Sequence, residues 1–248
     1  MKDKYRVIYA PKGPALEYSP LALNLYVGCS HGCKYCYAPS CMFKKREEYG
    51  KEENIYIRDG ILDKLQKDLI EMSMLKDRRR VLLCFITDPY QGEYSFNKIT
   101  SEALALFKAY NIPFQVLTKG GMKAARDFYL YKKGDAYATT LTFYDEKKSE
   151  EWEPMAASPK ERIKSLRKAK EKGIETWVSF EPVIDPKETY KLFEASKEVT
   201  DLYKIGKINN YKQIDNVDWR EFTHNIINLC EKNNKEYYIK ESLQPYIS

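Results

Sequence analysis

Residues 176–193 read TWVSFEPVIDPKETYKLF and hold one complete strand–helix unit. The first half is rich in branched and aromatic side chains, as strands buried on both faces are. Asp185-Pro186-Lys187-Glu188 then supplies a cap, a proline at the first helical position and a first-turn acid, ahead of the apolar Tyr190 and Phe193. The device recurs outward in both directions. Ser158-Pro159-Lys160-Glu161 is a capping box whose helix is closed by Gly173, and Asp218-Trp219-Arg220-Glu221 precedes Phe222, Ile226 and Leu229. Asp59 precedes a helical stripe of Ile61, Leu65, Leu69 and Met72. With further strands expected at 21–27, 80–87, 113–118, 136–143 and 202–208, the chain alternates six strands with helices. Such alternation predicts a parallel sheet with helices packed outside it. Six units fall short of a closed eightfold barrel, so the expected fold class is α/β: an open, partial (β/α)6 barrel of the TIM type. Reactive residues of such folds lie on loops after the C-terminal strand ends.

The bulk numbers agree with an ordinary globular chain. A length of 248 residues is expected to form one domain over 1–248, with its core at about 20–210 and short extensions. Hydrophobic residues make up 43% and aromatics 14%, which argues against disorder. The net charge of +6 permits an anionic partner without demanding one, because 36 acids are spread among 42 bases. No apolar run reaches the ~20 residues of a membrane span, and the start MKDKYRVIYAPKG has no signal-like apolar region. Six cysteines, three of them bunched, do not resemble a secreted disulfide framework. The expectation is a cytoplasmic, monomeric protein with reduced thiols and no membrane association.

The bunched cysteines lie directly after the first strand, in LYVGCSHGCKYCY at 25–37. Cys29, Cys33 and Cys36 have the spacing C-x3-C-x2-C, and Gly28 and Gly32 ease the turn that three converging thiolates require. Iron–sulfur clusters normally take four thiolates. A local trio without an obvious fourth leaves one iron open, as chemistry needs and a structural site avoids. Zinc is the rival, since His31 lies inside the loop, although no second knuckle pair is present. A non-catalytic metal-binding nucleic-acid module is the corresponding alternative function.

C-x3-C-x-aromatic-C after the first strand resembles the signature of the radical S-adenosylmethionine (SAM) superfamily. YVGCSHGCKYCYAP, TDPYQGE, TKGGMKAARD, EPMAASPKERI and WVSFEPVIDP further resemble its DNA-repair-photolyase-like group, related to spore photoproduct lyase, in the expected order from Tyr26 to Pro186. The resemblance implies an enzyme with a [4Fe–4S] cluster on Cys29, Cys33 and Cys36 that cleaves SAM reductively. A 5′-deoxyadenosyl radical then abstracts hydrogen from an organic substrate. It implies an electron donor too, a reductase or a flavodoxin- or ferredoxin-type protein. Nucleic acid is the family-level substrate, with a peptide or small metabolite as alternatives. The basic runs Lys44-Lys45-Arg46 and Arg78-Arg79-Arg80 and the 21 tyrosines lend mild support to nucleic acid.

The expected cofactor-binding set is Tyr35, Thr87, Asp88, Glu93, Lys119, Thr140, Thr142 and Glu181. Thr87 and Asp88 end the second strand, where the family's Gly-Gly-Glu motif is replaced here by Gln91-Gly92-Glu93; a turn capped by Asp88 is equally compatible. The resemblance gives Lys119, at the end of the third strand, to the methionyl carboxylate. Thr140 and Thr142 share one face of the fourth strand, where strand preference alone also favours threonine. Glu181 is costly in a strand unless paired, with Lys204 or Lys207 as candidate partners. Spore photoproduct lyase uses a cysteine near the second strand as hydrogen donor. Cys84 is one residue out of that register, which turns a strand side chain to the opposite face, so a structural role is favoured. Cys41, after the cluster loop, is the other candidate donor, and Cys230 is expected in the core.

Overall fold

The computed structural model describes residues 4–92, 98–208 and 217–247. The chain begins with β1 (Leu21–Leu23) and β2 (Tyr26–Val27), followed by α1 (Ala38–Cys41) and α2 (Arg46–Tyr49). Next come β3 (Tyr56–Ile57), α3 (Ile61–Met74), β4 (Val81–Leu83) and α4 (Lys98–Ala109). β5 (Phe114–Thr118), a 3-10 stretch (Gly121–Leu130) and β6 (Ala136–Thr140) lead to α5 (Glu146–Trp152) and α6 (Pro159–Glu171). The chain continues through β7 (Glu175–Val183), α7 (Pro186–Ser196), β8 (Leu202–Lys207), α8 (Trp219–Lys232) and β9 (Glu236–Ile239).

Seven strands pair in the order β1-β4-β5-β6-β7-β8-β9, all parallel, while β2 and β3 form a separate antiparallel pair. Among the described residues β1 and β9 do not pair with each other, so the barrel is open. The six expected strands are all present, and β9 extends the sheet by a seventh. Their ends differ from the sequence reading for a visible reason. Asn24 interrupts 21–27: its side-chain oxygen accepts from Phe85 N at 2.9 Å and Ile86 N at 3.1 Å, so both strands leave the ladder there.

Two-residue alternation divides the sheet's side chains between two cores. Leu21, Leu23, Val81, Leu83, Phe114 and Val116 point outward and are buried with α3 and α4. Each such side chain stabilises the fold by about 1.5–3 kcal/mol. Leu82, Ala136, Ala138 and Trp177 point inward and meet Tyr18. Tyr18 comes from the segment before β1 and fills the barrel interior from the N-terminal side. The helix caps act as the sequence indicates: Ser158 accepts from Glu161 N at 3.3 Å, Asp185 from Lys187 N at 3.0 Å and Asp218 from Glu221 N at 2.9 Å. At α3 the cap position is held by Gly60, with φ 58°, and not by Asp59.

The N-terminal segment is fastened under the sheet by buried carboxylates. Asp68 accepts from the backbone N–H of Arg6, Val7 and Ile8 at 2.9, 2.7 and 3.1 Å. Asp77 pairs with Arg79 at 2.7 Å and accepts from Tyr5 OH at 2.7 Å. The Arg79 hydrogen bond, opposed by partial burial, lowers the Asp77 carboxyl from 3.8 to about 2. A depressed carboxyl contributes stability that is fully present above its unfolded pKa and lost as pH falls through the folded one. Stability from this contact is therefore expected to fade between pH 3.8 and about 2. Asp77→Asn should lower the urea midpoint at pH 6 and flatten its fall over that window; equal slopes for both proteins would contradict this.

Candidate active site

The cysteine loop leaves β2 and crosses the C-terminal ends of the strands. At Gly28, φ is 73° and an added Cβ would lie 2.6 Å from Asn54 O, so the left-handed turn and the close approach both require glycine. Thr87 Oγ1 donates to Gly28 O at 2.7 Å. Gln91, fully buried, donates to Gly28 O at 3.1 Å and to Thr87 Oγ1 at 2.6 Å, and accepts from Ser30 N at 2.6 Å. From outside, Arg46 donates to the carbonyls of Cys33 at 2.9 Å and Cys36 at 3.1 Å. Arg46, exposed at the end of the Lys44-Lys45-Arg46 run, therefore also holds the loop.

Cys33 is buried, and Cys29 and Cys36 are half-buried. All six cysteines are free thiols. Burial pushes the Cys33 thiol up to about 12, against the pull of Lys119. Burial also raises Cys29, helped by Asp88 and then by Cys33. Among the described residues no three cysteine, histidine or acidic side chains close on a single point as one metal ion would need. The chemistry of the donor set suits an iron–sulfur cluster, in which separate irons each take one thiolate. Buried thiols raised by their surroundings ionise only beside a strong positive centre, which such a cluster supplies. His31 does not join them. It is buried, and its Nδ1 lies 3.5 Å from Asp88 Oδ2. Burial lowers the imidazole to about 4 despite that carboxylate. The Cys3His zinc arrangement is thus not formed.

The expected cofactor residues fall into three groups. Asp88 is committed to the turn: it accepts from two backbone groups, Tyr90 N at 2.8 Å and Lys119 N at 2.7 Å, and from the Thr118 hydroxyl at 2.6 Å. It joins the ends of β4 and β5, which is the turn reading. Thr87 serves Gly28, as above. Glu93 lies outside the described residues.

Tyr35, Lys119, Thr140 and Thr142 come together on the far side of the loop. Tyr35 OH donates to Glu153 Oε1 and lies 3.2 Å from Thr142 Oγ1. Lys119 Nζ sits 5.4 Å from the centre of the Tyr35 ring. Thr142 Oγ1 also donates to Glu153 at 3.3 Å, whereas Thr140 contributes its carbonyl, to Arg162 at 3.0 Å. Beneath them Glu153 and Arg162, each 1% exposed, form an ion pair at 2.7 Å. Burial would raise the Glu153 carboxyl, but Arg162 and then Lys119 hold it below its ordinary value. For Lys119 burial works downward, and Cys33 and Glu153 outweigh it, so the ammonium is retained. The sequence reading missed this pair, although Arg162 stands on the buried stripe of α6 with Ser165, Leu166 and Ala169, an anomalous place for a charge.

Glu181 projects inward from β7, and its partner is neither Lys204 nor Lys207. Lys240, just after β9, donates to Glu181 Oε2 at 2.5 Å, and Tyr18 OH donates to the same oxygen. Lys204 donates instead to the carbonyls of Glu17 and Tyr18 at 3.0 and 2.9 Å, and Lys207 to Tyr246 OH at 2.9 Å. The expectation failed because it needed the seventh strand. Cys84 is buried among the outward core side chains and Cys230 is fully buried, while Cys41 is exposed at the end of α1.

A family model described as the Radical SAM superfamily matches residues 23–199, more than half of the chain. The chain belongs to the radical SAM superfamily. This radical SAM protein is 26% identical to an uncharacterised protein of Methanocaldococcus jannaschii over 231 residues, 92% of this chain and 80% of the relative. It is 28% identical to an uncharacterised protein of Acidianus two-tailed virus over 197 residues, 75% of this chain and 62% of the relative. Among solved structures, a cysteine-to-serine variant of spore photoproduct lyase aligns with a TM-score of 0.71 at 13% identity, covering 96% of this chain and 79% of that one. Streptococcus suis SuiB bound to its precursor peptide SuiA aligns at 0.65 and 13% identity, over 88% of this chain and 48% of that chain. The chain thus spans about half of SuiB, and at these identities the likeness shows the fold alone. The protein is an enzyme of the radical SAM type, and among its described residues no helix is long and apolar enough to cross a membrane.

Proposed function

We infer that this single-domain enzyme reductively cleaves SAM on a [4Fe–4S] cluster held by Cys29, Cys33 and Cys36, and turns the resulting radical on an organic substrate. The observation that carries this reading is the meeting of a loop with three free cysteines and the Lys119 side chain, 5.4 Å from the Tyr35 ring, at the C-terminal mouth of an open parallel barrel. When bound, the cluster and SAM supply the electron transfer and the carbon radical, and the protein binds, orients and shields them. Gln91, Thr87 and Arg46 fix the loop's backbone so that the thiols keep their places. Lys119 offers a charge-assisted hydrogen bond to the methionyl carboxylate. Tyr35, Thr140 and Thr142 are the companions we assign to SAM, with Glu153 and Arg162 holding Tyr35 from below. One electron is to come from a flavodoxin- or ferredoxin-type donor or a reductase.

Nucleic acid is the first substrate class to test, because spore photoproduct lyase has been solved with a dinucleoside photoproduct in this fold. The basic runs do not strengthen it. Arg79 pairs with Asp77, and Arg80 with Glu175 at 2.7 Å on the N-terminal side of the sheet. A peptide is the second reading, since the SuiB structure holds one. Anaerobic reconstitution with dithionite and SAM should give 5′-deoxyadenosine; a reconstituted, reduced protein that yields none would refute the radical reading.

Lys119→Ala tests the cofactor assignment without touching the cluster ligands. Loss of one charge-assisted contact costs about 2 kcal/mol, a weakening of SAM binding by tens of fold. Cluster colour should stay normal, and Lys119→Arg should recover binding only in part because the guanidinium differs in size and shape. An unchanged dissociation constant would place this lysine outside the SAM site.

A further inference from the structure

The barrel interior carries an ion pair that the cofactor assignments above do not use. Inward positions near the strand ends differ from outward ones in exposure. Leu117, Phe85 and Glu181 remain half-buried, whereas outward Leu83, Val116 and Phe180 are fully buried. The upper interior is therefore a cup open toward the cysteine loop. Its floor is Tyr18, whose ring lies 5.9 Å from Phe85 and 5.8 Å from Trp177, with its hydroxyl 2.8 Å from Ser179 Oγ.

Glu181 stands on that floor with its two oxygens in different situations. Oε2 accepts from both Tyr18 OH and Lys240 Nζ. Lys240 is 2% exposed and also lies 3.3 Å from Glu17 Oε2, so two carboxylates share its ammonium. Among the described residues Glu181 Oε1 accepts no hydrogen bond from the protein. Oε1 lies 2.9 Å from where a Cβ on Gly206 would stand, so glycine at this position leaves room for it. The Glu181 side chain keeps 19% of its surface open. Tyr37, the residue after Cys36, donates its hydroxyl to Phe85 O at 3.0 Å, and Phe85 lines the cup against Tyr18, so the cup lies between this carboxylate and the cysteine loop.

We propose that Glu181 is a substrate-binding residue, held by Lys240 and Tyr18, whose free oxygen receives a nitrogen-borne hydrogen-bond donor of the substrate, cationic or neutral. An open carboxylate favours an N–H donor, most strongly a charged one, and repels an anion. The part of the substrate that enters the barrel is therefore an N–H-bearing edge or an amine, and phosphate or carboxylate groups stay outside. This assignment moves Glu181 from the SAM set to the substrate, and it rests on the radical SAM reading only for the place of the chemistry.

The test is ligand-observed saturation-transfer NMR on the reconstituted protein with agmatine and thymidine, and phosphorus line broadening with inorganic phosphate. At least one nitrogen donor should bind; agmatine alone would mark a cationic amine, and thymidine a neutral imide edge. Glu181→Gln, which keeps an acceptor for Tyr18 and Lys240, should weaken that binding about tenfold or more, the loss of one charged hydrogen bond. Gly206→Ala keeps the charge but crowds Oε1, and should weaken it too. The proposal is overturned if neither donor binds, if binding survives in both variants, or if phosphate binds and is lost in Glu181→Gln. Formation of 5′-deoxyadenosine by the unsubstituted protein is scored separately, so failure of the radical reading is distinguishable from failure of this one.

Discussion

Cys36→Ala is expected to eliminate 5′-deoxyadenosine formation and to lower the iron bound after reconstitution. The substitution removes the proposed ligand and little else. The Cys36 carbonyl, which accepts from Arg46, belongs to the backbone and stays in place. Gly28, Gln91 and Thr87 hold the loop from its other end. A loss of product therefore cannot be assigned to collapse of the loop. Cys84→Ala and Cys230→Ala are the controls. Both thiols are buried in apolar surroundings, so truncation costs packing, about 1–2 kcal/mol, and leaves the radical chemistry in place. Turnover by Cys36→Ala at the level of the unsubstituted protein would refute the ligand assignment. Cleavage retained but substrate product lost in Cys84→Ala would return that cysteine to the role of hydrogen donor.

These expectations depend on how far the fold could be read from the sequence. Strands whose outward residues are Leu, Val and Phe were legible because burial on both faces demands such runs. Caps such as Ser158 and Asp218 were legible because their side chains bond within three residues. The seventh strand was not. Glu236, Tyr237 and Tyr238 are exposed and only Ile239 is buried, since β9 is an edge that need not carry an apolar run. With β9 went Lys240, and so Glu181 was given the wrong partner. Strand ends were overestimated where a side chain competes with the ladder, as Asn24 does.

The candidate site was legible in the same uneven way. Cysteine spacing identifies the loop because Cys29, Cys33 and Cys36 are neighbours in sequence. The residues that steady it, Gln91 and Arg46, act on backbone atoms 61 and 10 to 13 positions away. Glu153 and Arg162 were hidden for a related reason: neither residue type marks a site unless its burial is known. Arg162 alone gave a usable signal, from its position on the buried stripe of α6.

Glu153→Ala should be the most destabilising single change in the site. It leaves the Arg162 guanidinium buried without its counter-charge, and breaking such a pair costs about 3–5 kcal/mol. The two bonds that Arg162 makes to the carbonyls of Ala157 at 2.7 Å and Thr140 at 3.0 Å soften the loss without removing it. Replacing both partners separates stability from function. Glu153→Leu with Arg162→Leu removes both charges and fills the space, so the double variant should recover much of the urea midpoint. Recovery of SAM binding should not follow, because Tyr35 loses its acceptor and Lys119 loses the nearby carboxylate that helps keep it charged. The measurements are urea unfolding and SAM binding by equilibrium dialysis on the same samples. If the double variant is stable and binds SAM as the unsubstituted protein does, Glu153 and Arg162 are packing elements only, and the assignment of Tyr35 to the SAM site falls with them.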